Sequence, residues 1–135
     1  MEKYCSNALK VAKFFEASDK IEAVSYPGLE GDKYHELAKK YMPKGTSGVI
    51  SIVIKGGKEN AVKFMDALKL ACNEVHVADI RTCVLHPASE THRQLTDEQL
   101  IAAGVNPGMV RFSVGLENVE DIIEDAAQAL AAIDK

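Results

Sequence analysis

The sequence predicts an α+β fold in which helices pack on one face of a small, mostly antiparallel sheet. Three observations carry that expectation. Apolar residues recur at helical spacing near the start, middle and end of the chain, runs rich in β-branched residues lie between them, and Pro, Gly and Asn mark the borders. No repeat, low-complexity tract or linker interrupts the 135 residues, so positions 1–135 read as one domain. A chain of this length buries roughly two-thirds of the surface that its unfolded form exposes.

Ala8, Val11, Ala12 and Phe15 form a stripe that predicts an amphipathic helix over residues 3–17, ending near Ser18-Asp19. A short strand follows at Glu22 to Tyr26, closed by Pro27-Gly28. A second helix from Lys33 to Tyr41 stops before Pro43, because the residue preceding proline is disfavoured in helical geometry. The run GVISIVIK from Gly48 to Lys55 is apolar at nearly every position, which suits a strand that is central or covered on both faces. Gly56-Gly57 turns out of it into a helix with Ala61, Phe64, Met65 and Leu68 on one face.

Glu74 to Ala78 and Arg81 to Leu85 read as two short extended pieces. Thr96 and Gln99 have the spacing of a capping box, Leu95 and Leu100 that of a hydrophobic staple, and Gly104 ends the helix so begun. Val110, Phe112 and Val114 alternate with Arg111 and Ser113, which predicts a half-buried strand whose other face carries a cation and a hydroxyl. The last helix starts at the cap Asn118, places Glu120 and Asp121 where the dipole favours carboxylates, and buries Val119, Ile122, Ile123, Ala126, Leu130 and Ile133.

Composition narrows the function. Hydrophobic residues at 47% and charged residues at 27% are those of a soluble globular protein. The net charge of -4, with nothing more basic than the pair Lys39-Lys40, lacks the electrostatic footprint of a nucleic-acid binder. Small molecules or other subunits are the expected partners. The longest apolar runs fall far short of a membrane span, and MEKYCSNALK has no signal-peptide apolar region, so a cytoplasmic location is expected. Cys5, Cys72 and Cys83 are odd in number and form no C-x-x-C pattern, which points to reduced thiols rather than a disulfide framework or a zinc site.

Four groups are candidates for chemistry. Arg111 reads either as a guanidinium fork for a carboxylate or as an arginine snorkelling at a strand edge. His76 lies in an extended piece, where it is either structural or a hydrogen-bond donor to an anion. His86 and His92, with Ser89 and Thr91 between them, match no zinc spacing, and Pro87 suggests an irregular loop whose polar side chains satisfy backbone groups, so no metal is expected. Cys83 sits in a predicted strand, where a thiol behaves as a small apolar group.

The segments HPASETHRQL (His86 to Leu95) and VRFSVGLE (Val110 to Glu117) resemble the C-terminal domain of the Cys/Met-metabolism family of pyridoxal-phosphate (PLP) enzymes. YCSNALKVAK at Tyr4 and YPGLEGDKYHELAKKYMPKG at Tyr26 resemble other stretches of the same domain and extend the likeness to almost the whole chain. The form HPASxTHRQL points within the family to its O-acetylhomoserine sulfhydrylase branch. VHVADIRTCVL, from Val75 to Leu85, lines up with the family's NVGDxxSLVI stretch, but with His76 for the usual Asn or Ser, Ala78 for the Gly and Thr82 for the later Ser.

The resemblance implies an α+β domain like the C-terminal one of fold-type I PLP enzymes, and it places Met1 inside a longer chain. It implies that Arg111 holds the substrate's α-carboxylate, that His76 and Thr82 stand where the family contacts the bound cofactor and substrate, and that Ser89 and Thr91 border the active-site entrance. It also implies a whole enzyme, usually a homotetramer, that exchanges the acetate of O-acetylhomoserine for sulfide or methanethiol. Methionine γ-lyase and cystathionine γ-lyase or synthase share SVGLE and are the alternatives within the family; a stand-alone module binding small carboxylates is the alternative outside it. No lysine here has the family's S-x-T-K setting. Without the preceding PLP-binding domain, this chain is expected to hold no cofactor and to be inactive.

Overall fold

The computed structural model describes residues 1–134. Among the described residues, five helices and five strands follow one another as α1 (Glu2–Glu16), β1 (Ile21–Ser25), α2 (His35–Tyr41), β2 (Val49–Ile54), α3 (Gly57–Ala67), β3 (Cys72–Asn73), β4 (Cys83–Leu85), α4 (Asp97–Ala102), β5 (Met109–Ser113) and α5 (Val119–Ala132). The strands form one sheet in the order β1-β2-β5-β4-β3. Its β1-β2, β2-β5 and β5-β4 pairs are antiparallel and β4-β3 is parallel, so the sheet is mixed but mostly antiparallel, as expected.

One face of the sheet meets α1, α3 and α5. Strand residues alternate between faces, and on this face Ile50, Ile52 and Ile54 of β2 and Val110 and Phe112 of β5 are all but inaccessible. The stripe of α1 lands there in full: Ala8, Val11, Ala12 and Phe15 are each 0% exposed. Phe15, Phe64 and Phe112 bring one ring from α1, α3 and β5 into a cluster with centroids 5.1 to 6.5 Å apart in tilted and edge-on contacts, the arrangements that aromatic quadrupoles favour.

β2 is a central strand, as its composition predicts, but only one of its faces is sealed. Val49, Ser51 and Val53 are half-buried on the far side. The capping box forms as read: Gln99 N–H donates to Thr96 Oγ1 at 3.3 Å and Thr96 N–H to Gln99 Oε1 at 2.9 Å. Asn118 Oδ1 likewise caps α5 by accepting from Glu120 N–H.

Some elements differ from expectation: β4 starts at Cys83 rather than Arg81. α2 begins at His35 rather than Lys33, because Asp32 accepts from Tyr26 N–H at 3.0 Å and Tyr34 N–H at 2.8 Å and so organises the preceding residues as turns. The extended piece expected at Glu74 to Ala78 is a loop, and the ladder runs instead through Cys72–Asn73. Side chains from β5 take up its backbone groups in place of a neighbouring strand, and Ala78 turns the chain with φ +60°.

Asp125, on α5 between the buried Ile122 and Ala129, is itself buried. Its carboxylate accepts from the N–H groups of Lys69, Leu70 and Ala71 at 2.8 to 2.9 Å, lashing the α3–β3 connection to α5. Such charge-assisted bonds are stronger than neutral ones.

Candidate functional site

The face of the sheet turned away from the helices carries the candidate site. Arg111 is the middle residue of β5, between Ser51 of β2 and Leu85 of β4 in register. Because Val110 and Phe112 point into the core, alternation sends Arg111 to the far face. There its Nη2 donates to the backbone oxygens of Val75, at 2.7 Å, and His76, at 3.4 Å. Its Nε is buried and has no protein partner. A buried donor without an acceptor is costly, and the natural complement of a partly used guanidinium is an oxyanion.

The segment from Glu74 to Arg81 runs over this face. Ser113 Oγ accepts from Ala78 N–H at 3.0 Å, and Leu116 N–H donates to Ile80 O at 2.8 Å. At Gly115 the segment comes so near that an added Cβ would stand 2.4 Å from Ile80 O, so only glycine fits. Val75, Val77 and Ile80 point outward and are 54 to 68% exposed. Beside Ala78 and Ser113 an apolar cleft of about 210 Å³ opens between Tyr4, Gly48, Val49 and Val77.

His76 meets Arg111 through its backbone oxygen, while its imidazole turns to an acidic group. Nδ1 lies 2.9 Å from Glu74 Oε2 and 4.0 Å from Asp79 Oδ2. Arg81 Nη2 reaches the same two carboxylates at 3.0 and 3.4 Å. Hydrogen bonds from the Arg81 backbone and guanidinium hold Asp79 below the usual carboxylate range. A Cys83 ligand atom lies within 4.8 Å of this pair, and burial, with the two acids adding to it, pushes the Cys83 thiol up.

Thr82 is fully buried. Its N–H and Oγ1–H donate to the two oxygens of Glu117 at 2.6 and 2.9 Å, and Gly115 N–H donates to its Oγ1 at 3.0 Å. Asn7 of α1 closes the same turn by donating to Gly115 O and Glu117 O, both at 3.0 Å. The Thr82 hydroxyl therefore faces the turn after β5 from the inside, while Arg111 faces outward. Glu117 and Asn7 both lie inside the recognised stretches, yet neither spacing nor charge marks them as a clamp.

The HPAS segment begins directly after Leu85, the register partner of Arg111. His86 is buried, with Nε2 at 2.8 Å from Pro107 O and Nδ1 at 2.8 Å from Ser89 Oγ. Since a carbonyl only accepts, Nε2 carries a proton, and in the neutral ring the Ser89 hydroxyl donates to Nδ1. Thr91 is exposed and pairs with His92 Nδ1 at 2.9 Å. Ser89 and Thr91 thus make their hydrogen bonds within their own loop, whereas Arg111 and His76 come together.

Residues 1–131 match the family described as Cys/Met metabolism PLP-dependent enzyme. An O-acetyl-L-homoserine sulfhydrylase of Leptospira meyeri is 49% identical over 134 residues, which are 98% of this chain and 30% of the relative. An L-methionine gamma-lyase of Fusobacterium nucleatum subsp. polymorphum is also 49% identical, over 98% of this chain and 33% of the relative. A crystal structure described as an O-acetylhomoserine (thiol)-lyase of Campylobacter jejuni, which holds a lysine-linked pyridoxyl phosphate, superposes with a TM-score of 0.88 at 39% identity over 96% of this chain and 31% of its own. The chain therefore spans about a third of the length of the proteins it matches. Among the described residues, no helix is long and apolar enough to cross a membrane.

Proposed function

The chain belongs to the Cys/Met-metabolism family of PLP-dependent enzymes, and on that premise we propose that it is the C-terminal, substrate-carboxylate-binding domain of an O-acetylhomoserine sulfhydrylase-like enzyme. The observation that carries this reading is Arg111: a guanidinium fixed at Nη2 by two backbone oxygens, with a buried Nε left for an acceptor. Those donors fit the carboxylate end of an amino acid carried on PLP. They do not make a seat for PLP itself, and no lysine here stands in the S-x-T-K setting. The cofactor's lysine, the acid facing its ring nitrogen and its phosphate cradle are assigned to the stretch of the relatives that this chain does not span.

PLP, when bound, supplies the electron sink for the reaction at the amino-acid carbons. The residues of this chain bind and orient. Arg111 fixes the α-carboxylate, and a carboxylate held in a fork has few remaining orientations. The loop Glu74 to Arg81 fixes the guanidinium through the backbone oxygens of Val75 and His76. The His76 imidazole, released from Glu74, is a second donor to the same carboxylate. Thr82 acts from the interior by holding the turn after β5, and Ser89 and Thr91 border the substrate entrance. The preceding domain, docked on the exposed Val75, Val77 and Ile80, excludes water from this surface, and the whole enzyme assembles as a homotetramer.

The test is made in the full-length enzyme that carries this chain. Arg111→Lys keeps the charge and loses the fork that orients the carboxylate, so kcat/KM for O-acetylhomoserine falls on the order of a hundredfold, as misplacement of a substrate by about 1 Å can cost. Unchanged kinetics would remove Arg111 from the site. The isolated 135-residue chain, given PLP, O-acetylhomoserine and sulfide, forms no homocysteine. The equal identity to a methionine gamma-lyase favours one second reading, γ-elimination from methionine; methanethiol release from methionine outpacing sulfide addition in the full enzyme would establish it instead.

A further inference from the structure

Cys72 and Cys83 face each other across the parallel pair at the edge of the sheet. They are register partners on β3 and β4, with Cys72 N–H donating to Thr82 O at 2.9 Å and Glu74 N–H to Val84 O at 3.0 Å on either side. Paired residues on adjacent strands send their side chains to the same face, and adjacent strands lie about 4.8 Å apart. That spacing falls inside the Cα separation of about 4.4–6.8 Å that disulfides span. We propose that Cys72 and Cys83 are a redox-active pair, closing to an intramolecular disulfide when a small-molecule disulfide such as oxidised glutathione is present.

The two sulfurs have different surroundings, which assigns them different roles. Cys72 is partly exposed on the edge strand, and Arg81 Nη1 donates to its Sγ at 3.9 Å. Cys83 is 1% exposed, and its thiol is flanked by Glu74 and Asp79. A thiolate is the attacking species, and cationic, accessible surroundings favour it. Cys72 therefore attacks first: its thiolate displaces one glutathione thiolate from the oxidant and forms a mixed disulfide. The Cys83 thiolate then attacks the Cys72 sulfur, breaks the mixed disulfide and releases the second glutathione. Both cysteine protons end on the two glutathiones formed, and the two electrons lost by the cysteines reduce the oxidant. Cys5, on α1, has no cysteine as a register partner and stays a thiol.

Closure ties the two ends of the segment Asn73 to Thr82, which contains the oxygens of Val75 and His76 that hold Arg111. The bond is thus a staple on the loop that holds the guanidinium. Closure depends only on the thiols and the loop of this chain, whatever Arg111 binds.

The test equilibrates the 135-residue chain in glutathione redox buffers of increasing oxidised fraction, quenches it with an alkylating agent and maps the peptides without reduction. The expected product is a linked Cys72–Cys83 peptide pair that has lost two hydrogens, with Cys5 alkylated. Amide exchange of Val75 to Asp79 slows in the oxidised protein, and C72S, checked for fold by circular dichroism, shows neither the link nor the slowing. C5S behaves as the unaltered chain. Separate glutathione adducts on Cys72 and Cys83 with no link, or a link through Cys5, would overturn the proposal.

Discussion

The two faces of the sheet are held by different forces. On the helix side the contacts of the sheet are apolar: Ile50, Ile52, Val110 and Phe112 join residues of α1, α3 and α5 in one buried cluster. On the far side the cover is a single loop, and its position is set by named hydrogen bonds, from Arg111 to Val75 and His76, from Ala78 to Ser113 and from Leu116 to Ile80. Apolar burial is non-directional and tolerates small shifts; hydrogen bonds fix geometry but cost dearly when one partner goes. The helix face supplies the stability, and the loop face supplies the placement that a binding site requires.

The largest expected effect breaks the helix face. Phe112→Ala removes the ring shared by Phe15 and Phe64 and should cost about 3–5 kcal/mol in urea unfolding. If the loss were under about 1 kcal/mol, the core would have to be repacking freely, which close-packed interiors seldom do. Next in size is Glu117→Gln. It replaces a carboxylate that accepts two bonds from Thr82 by an amide with donors of its own, and about 1–3 kcal/mol of stability should go. Amide exchange should rise first at Ile80 to Thr82; a uniform rise across the sheet would deny the separation of the two faces.

Ala78→Gly sharpens the comparison in the other direction. Ala78 sits at φ +60°, a conformation that costs an L-residue roughly 1–2 kcal/mol. Relief of that strain outweighs the added freedom of glycine in the unfolded chain, for a net gain of about 0.5–1 kcal/mol in thermal unfolding. The smallest effect is a pH response of the loop. The Arg81 N–H and guanidinium hold Asp79 below its ordinary value, so its contribution is present above the unfolded carboxylate's range and is lost as pH falls through the folded value. Protection of the loop amides should decline over that acidic window, and Arg81→Gln should shift the decline toward higher pH.

The same division explains what could be read from the sequence. The helix face was legible because periodicity encodes it: Ala8, Val11, Ala12 and Phe15 sit where a 3.6-residue repeat puts them, and Thr96 with Gln99 forms the capping box that their spacing announces. The loop face was not, because its bonds join side chains to backbone groups more than thirty residues away, as Arg111 to Val75 and Ser113 to Ala78. No local pattern marks an acceptor oxygen. Asp125 is the sharpest instance: its place among the charged positions of α5 gave no sign that three N–H groups from the α3–β3 connection would converge on it. Resemblance to the family singled out Arg111, whereas alternation alone left it between an anchor and a snorkelling side chain.

The centre of the sheet also dictates when the chain can fold. β2 and β5, the central pair, join Ser51 to Arg111, and the first helix sends Asn7 to Gly115 and Glu117 across the whole sequence. Such distant pairings close large loops before any contact rewards them, and they slow folding relative to local hairpins. On a ribosome, the first helix would emerge long before its anchor points, leaving the Phe15 face without Phe112 until the last strand had cleared the exit tunnel. During synthesis this is a chain whose middle must wait for its end, and its window of vulnerability to aggregation is set by the time taken to translate the intervening hundred or so residues.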